Sequence, residues 1–470
     1  MNKILLFILL PFLSFGQTKI GAISGKTNYE QSGQSISFSS DGLTIAIGSA
    51  FNDEKFTNSG LIRIFHYDSG LWKQVGNDIY GEKKGEFVGR YLTLSSDGNF
   101  IIACGEEDEY GHKYVKMYRN ISGTWTKINH NVVIEDRPSC VVLSSDQNVL
   151  AFGFGESDRV TIYRNNSGTW DKIGNTLYGE GSYNQFGFSI SLSSDGSKIA
   201  IGGYRNSNSI VDSGHVRVFS NVSDNWVQVG ADIDGKVKNG NSGYSVSLSS
   251  DGNTLAVGAP GRYMNTSLGS VYVYRNVNGS WKQVGSTLSG TQLNNHIGLQ
   301  VALSADGSIL AFSDDQNSDS FYNAGQVKIF KNFSDTWKQT GNNINGEGYD
   351  LSGQKIALSP DGSMVAVTSL DDGEGVSRGE VRIYSLSNIL STDKYVLENF
   401  NLYPNPSSEI VNINLNKNLT LQKVNIYNTL GQLIKTENSN IISISSLFHG
   451  TYYFEIITDK GKATKTVLVR

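Results

Sequence analysis

Residues 189–202 read SISLSSDGSKIAIG, a stretch that decides the fold because it encodes two strands joined by a tight turn. Small polar and apolar residues alternate over 189–192, which predicts a strand with one buried face. Asp195-Gly196 is a dipeptide typical of two-residue hairpin turns. The run 199–202 is apolar except for its final glycine, as in a strand covered on both faces. These features together predict a β-hairpin.

The hairpin recurs along most of the chain. L-S-S-D-G and close variants place an aspartate at intervals of 49 to 56 residues, at Asp41, Asp97, Asp146, Asp195, Asp251, Asp306 and Asp361. In each repeat a third strand follows the hairpin, and this strand ends on an aromatic residue. A fourth strand is headed by a tryptophan in six repeats, at Trp72, Trp125, Trp170, Trp226, Trp281 and Trp337. Four-stranded repeats of this length predict the blades of a β-propeller.

The two ends of the repeat array complement each other. The seventh repeat runs from 381–384 straight into 385–387 and lacks a fourth strand, whereas residues 17–25 match the fourth-strand segment 74–81. We therefore predict an all-β fold in which the mature N-terminal strand closes a seven-bladed β-propeller over residues 17–390. Closure would protect strand edges that an open array exposes. An open solenoid is the alternative, but it gives no reason for the complementary ends.

The repeats resemble a known family. FGFS at 186–189, before a turn, and VGAP at 257–260, after one, are similar to bacterial FG-GAP repeats, relatives of the integrin α-chain propeller. The resemblance covers about residues 17–387. Kelch and WD-type propellers are alternatives, but the chain shows neither a recurring Gly-Gly pair nor a Trp-Asp ending. Calcium-binding members carry a D-x-D-x-D-G loop, whereas the corresponding turn of this chain has one carboxylate. We therefore expect this carboxylate to accept hydrogen bonds within its own turn, and we expect no calcium.

The N-terminus and the composition bound the class of protein. Residues 1–16, MNKILLFILLPFLSFG, have the pattern of a signal peptide cut before Gln17, and no other stretch is apolar enough to span a membrane. An uncleaved anchor helix is the alternative. Charged residues are 18% and the net charge is −5, so nucleic acid is not an expected partner. The mature protein is expected to be exported, with no membrane span.

The repeats stop before a distinct tail, which we place at residues 398–470 after a linker at 391–397. Its short alternating strands predict a small Ig-like β-sandwich. Ordered motifs resemble the type A C-terminal sorting domain of the type IX secretion system, which implies a Bacteroidota-like producer, the type IX machinery as a partner, and a secreted or outer-membrane surface location. The residues that carry this resemblance are Tyr403, Pro404, Asn405, Pro406, Gly431, Gly450 and Lys465.

Catalytic motifs are missing from the sequence. Six scattered histidines form no metal-ligand spacing, and no nucleophile elbow or phosphate-binding loop is present. Cys104 and Cys140 are interpreted as buried hydrophobic residues, with a disulfide between neighbouring blades as the alternative. The sequence therefore predicts no catalytic residue, cofactor or metal, and no enzyme.

The long loops between second and third strands are the candidate functional region, because variable loops on a rigid scaffold carry function. Their aromatic and charged residues form a predicted ligand-binding rim of Phe51, Asp53, Tyr110, Tyr204, Arg262, Tyr263, Phe321, Tyr322, Asp371 and Asp372. The main hypothesis is a surface or secreted protein that binds an extracellular glycan or protein through this face. The alternatives are an extracellular polysaccharide hydrolase or lyase, a structural component of a surface layer, and a merely solvated acidic rim.

Overall fold

The computed structural model describes residues 17–106, 113–262, 267–290, 293, 295–370, 376–386, 396–397, 399–416, 419–428, 433–459 and 461–470. The chain divides into two compact units, Met1–Ser387 and Asn388–Arg470. Both are built from antiparallel sheets. The predicted signal peptide and residues 391–395 of the predicted linker lie outside the described residues. Within the described part, no helix has the length and apolar character to cross a membrane.

Seven sheets of similar design make up the first unit. Its strands, in chain order, are β1 (Thr18–Ser24); for sheet 1, β2 (Ser35–Phe38), β3 (Thr44–Ser49), β4 (Leu61–Asp68), β5 (Leu71–Gln74) and β6 (Ile79–Tyr80); for sheet 2, β7 (Tyr91–Leu94), β8 (Phe100–Glu106), β9 (Lys113–Ile121) and β10 (Thr124–Ile128); and for sheet 3, β11 (Cys140–Leu143), β12 (Val149–Phe154), β13 (Arg159–Asn166), β14 (Thr169–Lys172) and β15 (Leu177–Tyr178). A single 3-10 turn, Gly155–Ser157, follows β12.

The remaining sheets continue the pattern. They contain, for sheet 4, β16 (Phe186–Leu192), β17 (Lys198–Gly203), β18 (His215–Val222), β19 (Asn225–Gln228) and β20 (Ile233–Asp234); for sheet 5, β21 (Ser245–Leu248), β22 (Thr254–Ala259), β23 (Ser270–Val277), β24 (Ser280–Gln283) and β25 (Leu288–Ser289); for sheet 6, β26 (Val301–Leu303), β27 (Ile309–Asp314), β28 (Gln326–Phe333), β29 (Thr336–Gln339) and β30 (Ile344–Asn345); and for sheet 7, β31 (Ile356–Leu358), β32 (Met364–Ser369) and β33 (Glu380–Ser385).

Strand pairing follows the hairpin prediction. In sheets 1 to 6 the first four strands pair in chain order, and at 189–202 the pairing places Ile190 opposite Ile201. In five sheets a two-residue strand then returns to the third strand, as β20 does to β18. The sequence did not predict these short returning strands, because two residues carry no periodic signal.

The aspartate turns satisfy their own polar groups. The Ser193 hydroxyl donates to Asp195 Oδ1 at 2.7 Å, and the Ser197 backbone N–H donates to the same oxygen at 2.9 Å. Burial opposes ionisation of Asp195, but these hydrogen bonds outweigh it and lower its pKa. Gly196 has a φ of +65°, a conformation that glycine adopts without strain. The carboxylate thus serves the turn, as expected from the sequence.

The first strands of the seven sheets contact one another in a cycle. Each touches the first strand of the next sheet, and β31 of sheet 7 touches β2 of sheet 1. The fourth place in sheet 7 is taken by β1, which pairs antiparallel with β33 and places Ile23 opposite Val381. Ile23 is buried in a core shared by sheets 7 and 1. The N-terminal strand therefore occupies the position that the seventh repeat lacks.

In sheets 1 to 6, a tryptophan of the fourth strand packs into the core shared with the sheet before it. Trp125 of sheet 2 is 4% exposed and donates its indole N–H to the Val75 carbonyl of sheet 1 at 3.0 Å. Its backbone N–H donates to Asn77 Oδ1 at 2.8 Å. The ring lies against Gly76, where a Cβ would come within 2.8 Å of it. The glycine of one sheet and the tryptophan of the next thus pack against each other and form a contact between the two sheets.

Replacing Trp125 with alanine tests this contact. Deleting a buried tryptophan typically costs about 3–5 kcal/mol, so Trp125→Ala is expected to lower the free energy of unfolding by that amount. Trp125→Phe keeps most of the packing but loses the hydrogen bond, and should cost less. Urea unfolding followed by the fluorescence of the other five tryptophans, all in the first unit, gives the values. An alanine variant as stable as wild type would contradict the assignment.

The second unit contains two sheets around one apolar core. One sheet contains β34 (Phe400–Tyr403), β35 (Ile410–Leu415) and β38 (Ile441–Ser443); the other contains β36 (Leu421–Tyr427), β37 (Leu433–Glu437), β39 (Gly450–Thr458) and β40 (Gly461–Val469). Val411 and Ile442 of the first sheet and Phe454 of the second are fully buried in the shared core. Val396, placed in the linker by the sequence, is buried there too.

Candidate functional site

A cavity of about 320 Å³ lies where the first strands of sheets 3 to 7 begin. Each sheet contributes the residue two positions after the repeat's glycine or Pro138, and these residues are Cys140, Ser189, Ser245, Gln300 and Lys355. Two residues from the long loops between second and third strands, Arg262 and Asp315, also line the cavity. The cavity therefore belongs to the face on which the sequence predicted function.

Aromatic side chains form one wall. Phe188 and Tyr244 line the cavity, with ring centroids 4.9 Å apart. Tyr204 packs against both, at 4.7 Å from Phe188 and 5.1 Å from Tyr244. It is 5% exposed, so this ring, which the sequence predicted on the ligand-binding rim, is covered by its aromatic neighbours. Tyr204 supports the wall rather than facing solvent.

Two cations reach the cavity from different sheets. The Arg262 guanidinium donates from Nη1 to the Tyr244 hydroxyl at 2.8 Å, and the arginine is exposed at the mouth. The Lys355 side chain is solvent-accessible within the cavity, and the surrounding protein lowers its pKa by displacing bulk water. Burial raises the pKa of the neighbouring Cys140 thiol to about 12, so this thiol stays protonated at neutral pH.

A buried acid–histidine pair lies at the cavity wall. Asp315 Oδ1 lies 2.7 Å from His296 Nδ1, and the His296 backbone N–H donates to Asp314 Oδ1 at 2.9 Å. Burial, assisted by the charge of Asp315, raises the pKa of Asp314 to about 6. Asp315 is the one carboxylate among the described residues that line the cavity.

A second polar cluster lies outside the cavity. Glu180, His215 and Asp232 offer ligand atoms within 4.8 Å of one another, and in the described chain they form the group that could hold a metal ion. Burial lowers the pKa of His215 to about 4, so it is neutral at neutral pH. However, Arg217 Nε lies 3.5 Å from Asp232 and already supplies that carboxylate with a cation.

Two predicted rim residues of the first repeat lie away from the cavity lining. Phe51 packs edge-on against Phe87, with ring centroids 5.6 Å apart. Asp53 is exposed, and its Oδ1 accepts a hydrogen bond from the Asn58 backbone N–H at 2.6 Å, which shapes its own loop.

The remaining predicted rim residues divide into two groups. Phe321 and Tyr322 are exposed, at 61% and 66%, and Tyr322 contacts Tyr349 edge-on at 5.7 Å. Neither lines the cavity. Outside the described residues lie Tyr110, Tyr263, Asp371 and Asp372. The described members of the predicted rim are therefore not gathered into one site, and Arg262 is the one among them that lines the cavity.

Lys355 was not among the predicted site residues, because these came from the long loops and Lys355 lies just before β31, the first strand of sheet 7. The signal lay in a comparison across repeats. The position two residues after the repeat's glycine or proline holds Ser35, Tyr91, Cys140, Ser189, Ser245, Gln300 and Lys355. A lysine at a place where three repeats carry serine marks a departure that the fold does not require.

Cys104 and Cys140 are free thiols, so the alternative of a disulfide between them is wrong. Cys104 is fully buried in the core between sheets 2 and 3, as the interpretation of a small hydrophobic residue predicts. Cys140 is partly exposed at the cavity.

In the second unit, the Y-P-N-P segment is held against the last strand. Asn405 Nδ2 donates to the Thr466 carbonyl at 2.8 Å, and the Leu468 backbone N–H donates to Asn405 Oδ1 at 2.9 Å. Tyr403 is 52% exposed. The segment from Tyr403 to Pro406 thus forms a fixed surface feature beside β40.

Two other predicted tail residues also have defined places. The Lys465 ammonium lies 4.4 Å from the centroid of the Phe400 ring and donates to the Phe400 carbonyl, and desolvation lowers its pKa. Gly450 is the first residue of β39. Gly431 lies outside the described residues.

Comparison with known proteins identifies the tail. No curated protein matches the chain, and no FG-GAP family match is found. Residues 401–470 match the secretion system C-terminal sorting domain, as the ordered motifs predicted. The chain therefore carries a type IX C-terminal sorting domain and is exported as a secreted or cell-surface protein.

Proposed function

We propose that residues 17–387 form a closed seven-bladed, FG-GAP-like β-propeller that is the passenger of the sorting domain, exported after removal of residues 1–16. The cyclic contacts among the seven first strands support this architecture. So does the pairing of β1 with β33, which gives the seventh sheet its fourth strand. In such a propeller the cavity would be the mouth of the central channel.

We further propose that the propeller is a binding protein whose ligand, a glycan or a protein, enters this cavity from the long-loop face. The observation that carries the proposal is the convergence of equivalent residues from five sheets on one cavity. Its wall combines the aromatic rings of Phe188 and Tyr244 with hydroxyl, amide and cationic groups, a mixture typical of specific ligand sites.

An extracellular polysaccharide hydrolase or lyase is the second candidate. The observation in its favour is the carboxylate of Asp315 beside His296 at the cavity wall. A glycosidase of the usual kind needs two carboxyl groups flanking the scissile bond. Because one carboxylate lines the cavity in the described chain, we favour binding without turnover.

A glycan array probed with the exported protein, paired with product-release assays on every polysaccharide that binds, tests the proposal. Retention of at least one glycan with no release of product is expected. The variant Asp315→Asn should still retain that glycan and release no product, since retention does not require a catalytic carboxylate. Release of product that Asp315→Asn abolishes would establish the enzyme instead.

A further inference from the structure

We infer that the cavity recognises an acidic sugar, whose anionic group lies between Lys355 and Arg262. This inference rests on the proposed binding function and names the class of ligand. The shared chemistry is an anion carried on a sugar ring, either the carboxylate of a uronic acid or a sulfate ester.

The first argument is the charge of the cavity. Lys355 and Arg262 bring two positive charges to it, and Asp315 brings one negative charge. Asp315 is already engaged with His296 at 2.7 Å. The Lys355 side chain is exposed to the cavity, and within the described chain its ammonium has no hydrogen-bond or ion-pair partner. An anion that reaches this ammonium would form a charge-assisted hydrogen bond with it.

The second argument comes from the repeats. Ser35, Ser189 and Ser245 hold the position that Lys355 takes in the seventh repeat. The Ser189 hydroxyl donates to the Gly243 carbonyl of the next sheet at 2.7 Å, so serine at this place joins neighbouring sheets. A lysine gives up that contact. The substitution therefore adds a positive charge to the cavity at a position where the other six repeats carry uncharged residues.

The third argument is size and surface. About 320 Å³ is at the lower end of the range for small-ligand sites, enough for a sugar-sized group. A protein partner would need a broad interface of roughly 800 Å² on each side. The rings of Tyr244 and Phe188 offer apolar contact to a sugar, and Gln300 and Gln354 offer amide groups to its hydroxyls. These features favour an acidic glycan over an acidic protein.

Calorimetric titration of the exported protein at neutral pH tests the inference. The probes are trigalacturonate, its methyl ester and a sulfated galactose trisaccharide. One of the two acidic probes is expected to bind at least tenfold more tightly than the neutral ester. Lys355→Gln should remove most of that preference, and Lys355→Arg should retain it. The matched control Lys172→Gln, which changes an exposed lysine on β14, should leave it unchanged.

The two acidic probes separate the sources of the anion, because preference for the uronate or for the sulfated sugar identifies the carboxylate or the sulfate. Equal affinity for acidic and neutral probes would overturn the inference, as would an unchanged preference in Lys355→Gln with a wild-type melting temperature. No binding of either acidic probe would overturn it too. Neutral glycans retained on the array would then leave the binding function standing, whereas an empty array would remove both.

Discussion

Removal of Thr18–Ser24 is expected to cost the first unit most of its stability. The strand contributes the buried Ile23 and the partly buried Ile20 to the core between sheets 7 and 1. The Ser24 carbonyl accepts a hydrogen bond from the buried Arg63 at 2.8 Å. Deleting one buried isoleucine alone costs about 2–5 kcal/mol. Loss of the whole strand should therefore lower the free energy of unfolding by more than about 5 kcal/mol, a large share of the 5–15 kcal/mol of a typical domain.

The deletion also exposes β33 as an unpaired edge. Such an edge is a template for association with another chain, so aggregation is expected alongside the loss of stability. Size-exclusion chromatography and thermal unfolding of the full chain with and without Thr18–Ser24 measure both effects. A monomer with the melting temperature of wild type would contradict the role given to β1.

A matched pair of substitutions in β1 distinguishes the effect of its buried packing from the effect of an added charge. Ile23→Asp buries a charge in the shared core, whereas Thr18→Asp adds the same charge at an exposed position of the same strand. The free energy of unfolding of Ile23→Asp should fall by several kcal/mol, because an unpaired buried charge is costly. The second should stay within about 0.5 kcal/mol of wild type, as surface substitutions usually do.

Truncation after residue 397 is expected to stop export at the periplasm. Residues 401–470 match the sorting domain, so the truncated chain would lack the segment that the type IX machinery recognises. In a bacterium that carries this system, at least a tenfold fall in the extracellular and surface fraction is expected. Immunoblots of the periplasmic, surface and medium fractions measure it. A truncated chain that reached the outside at the wild-type level would contradict the prediction.

A point variant refines the truncation. Asn405→Ala removes both hydrogen bonds between the Y-P-N-P segment and β40 while leaving the rest of the sandwich intact. If the secretion machinery recognises this segment in its position beside β40, export of Asn405→Ala should fall several-fold. Lys423→Ala, at an exposed position of β36, is the control and should be exported normally.

The hairpins could be predicted because their signals are local. Alternation at 189–192 and the turn at Asp195-Gly196 specify two strands without reference to the rest of the chain. The pairing of β1 with β33 was predictable for another reason: residues 17–25 resemble a fourth strand, and the seventh repeat lacks one. The returning strands such as β20 escaped prediction because two residues show no alternation.

The candidate site was harder to predict because it depends on which residues meet. Arg262 lines the cavity from one of the long loops, but an aromatic residue in a loop such as Tyr204 looks exposed until its neighbours are known. Lys355 lies just before the first strand of sheet 7 rather than in a long loop, and its importance appears when the same position is compared across repeats. The burial that raises the pKa of Asp314 arises only in the folded chain, and the His296 backbone N–H that opposes this rise comes from a segment distant in sequence.

A disulfide between the chain ends of the array tests the central claim, the closure of the seven sheets by β1. Thr18 lies opposite Ser385 in the pairing of β1 with β33. The double variant Thr18→Cys/Ser385→Cys should form an intramolecular disulfide on mild oxidation, detected by peptide mapping. The mismatched pair Thr18→Cys/Glu380→Cys, displaced by about 16 Å along β33, should not. Failure of the first pair to close, or closure only between molecules, would contradict the account.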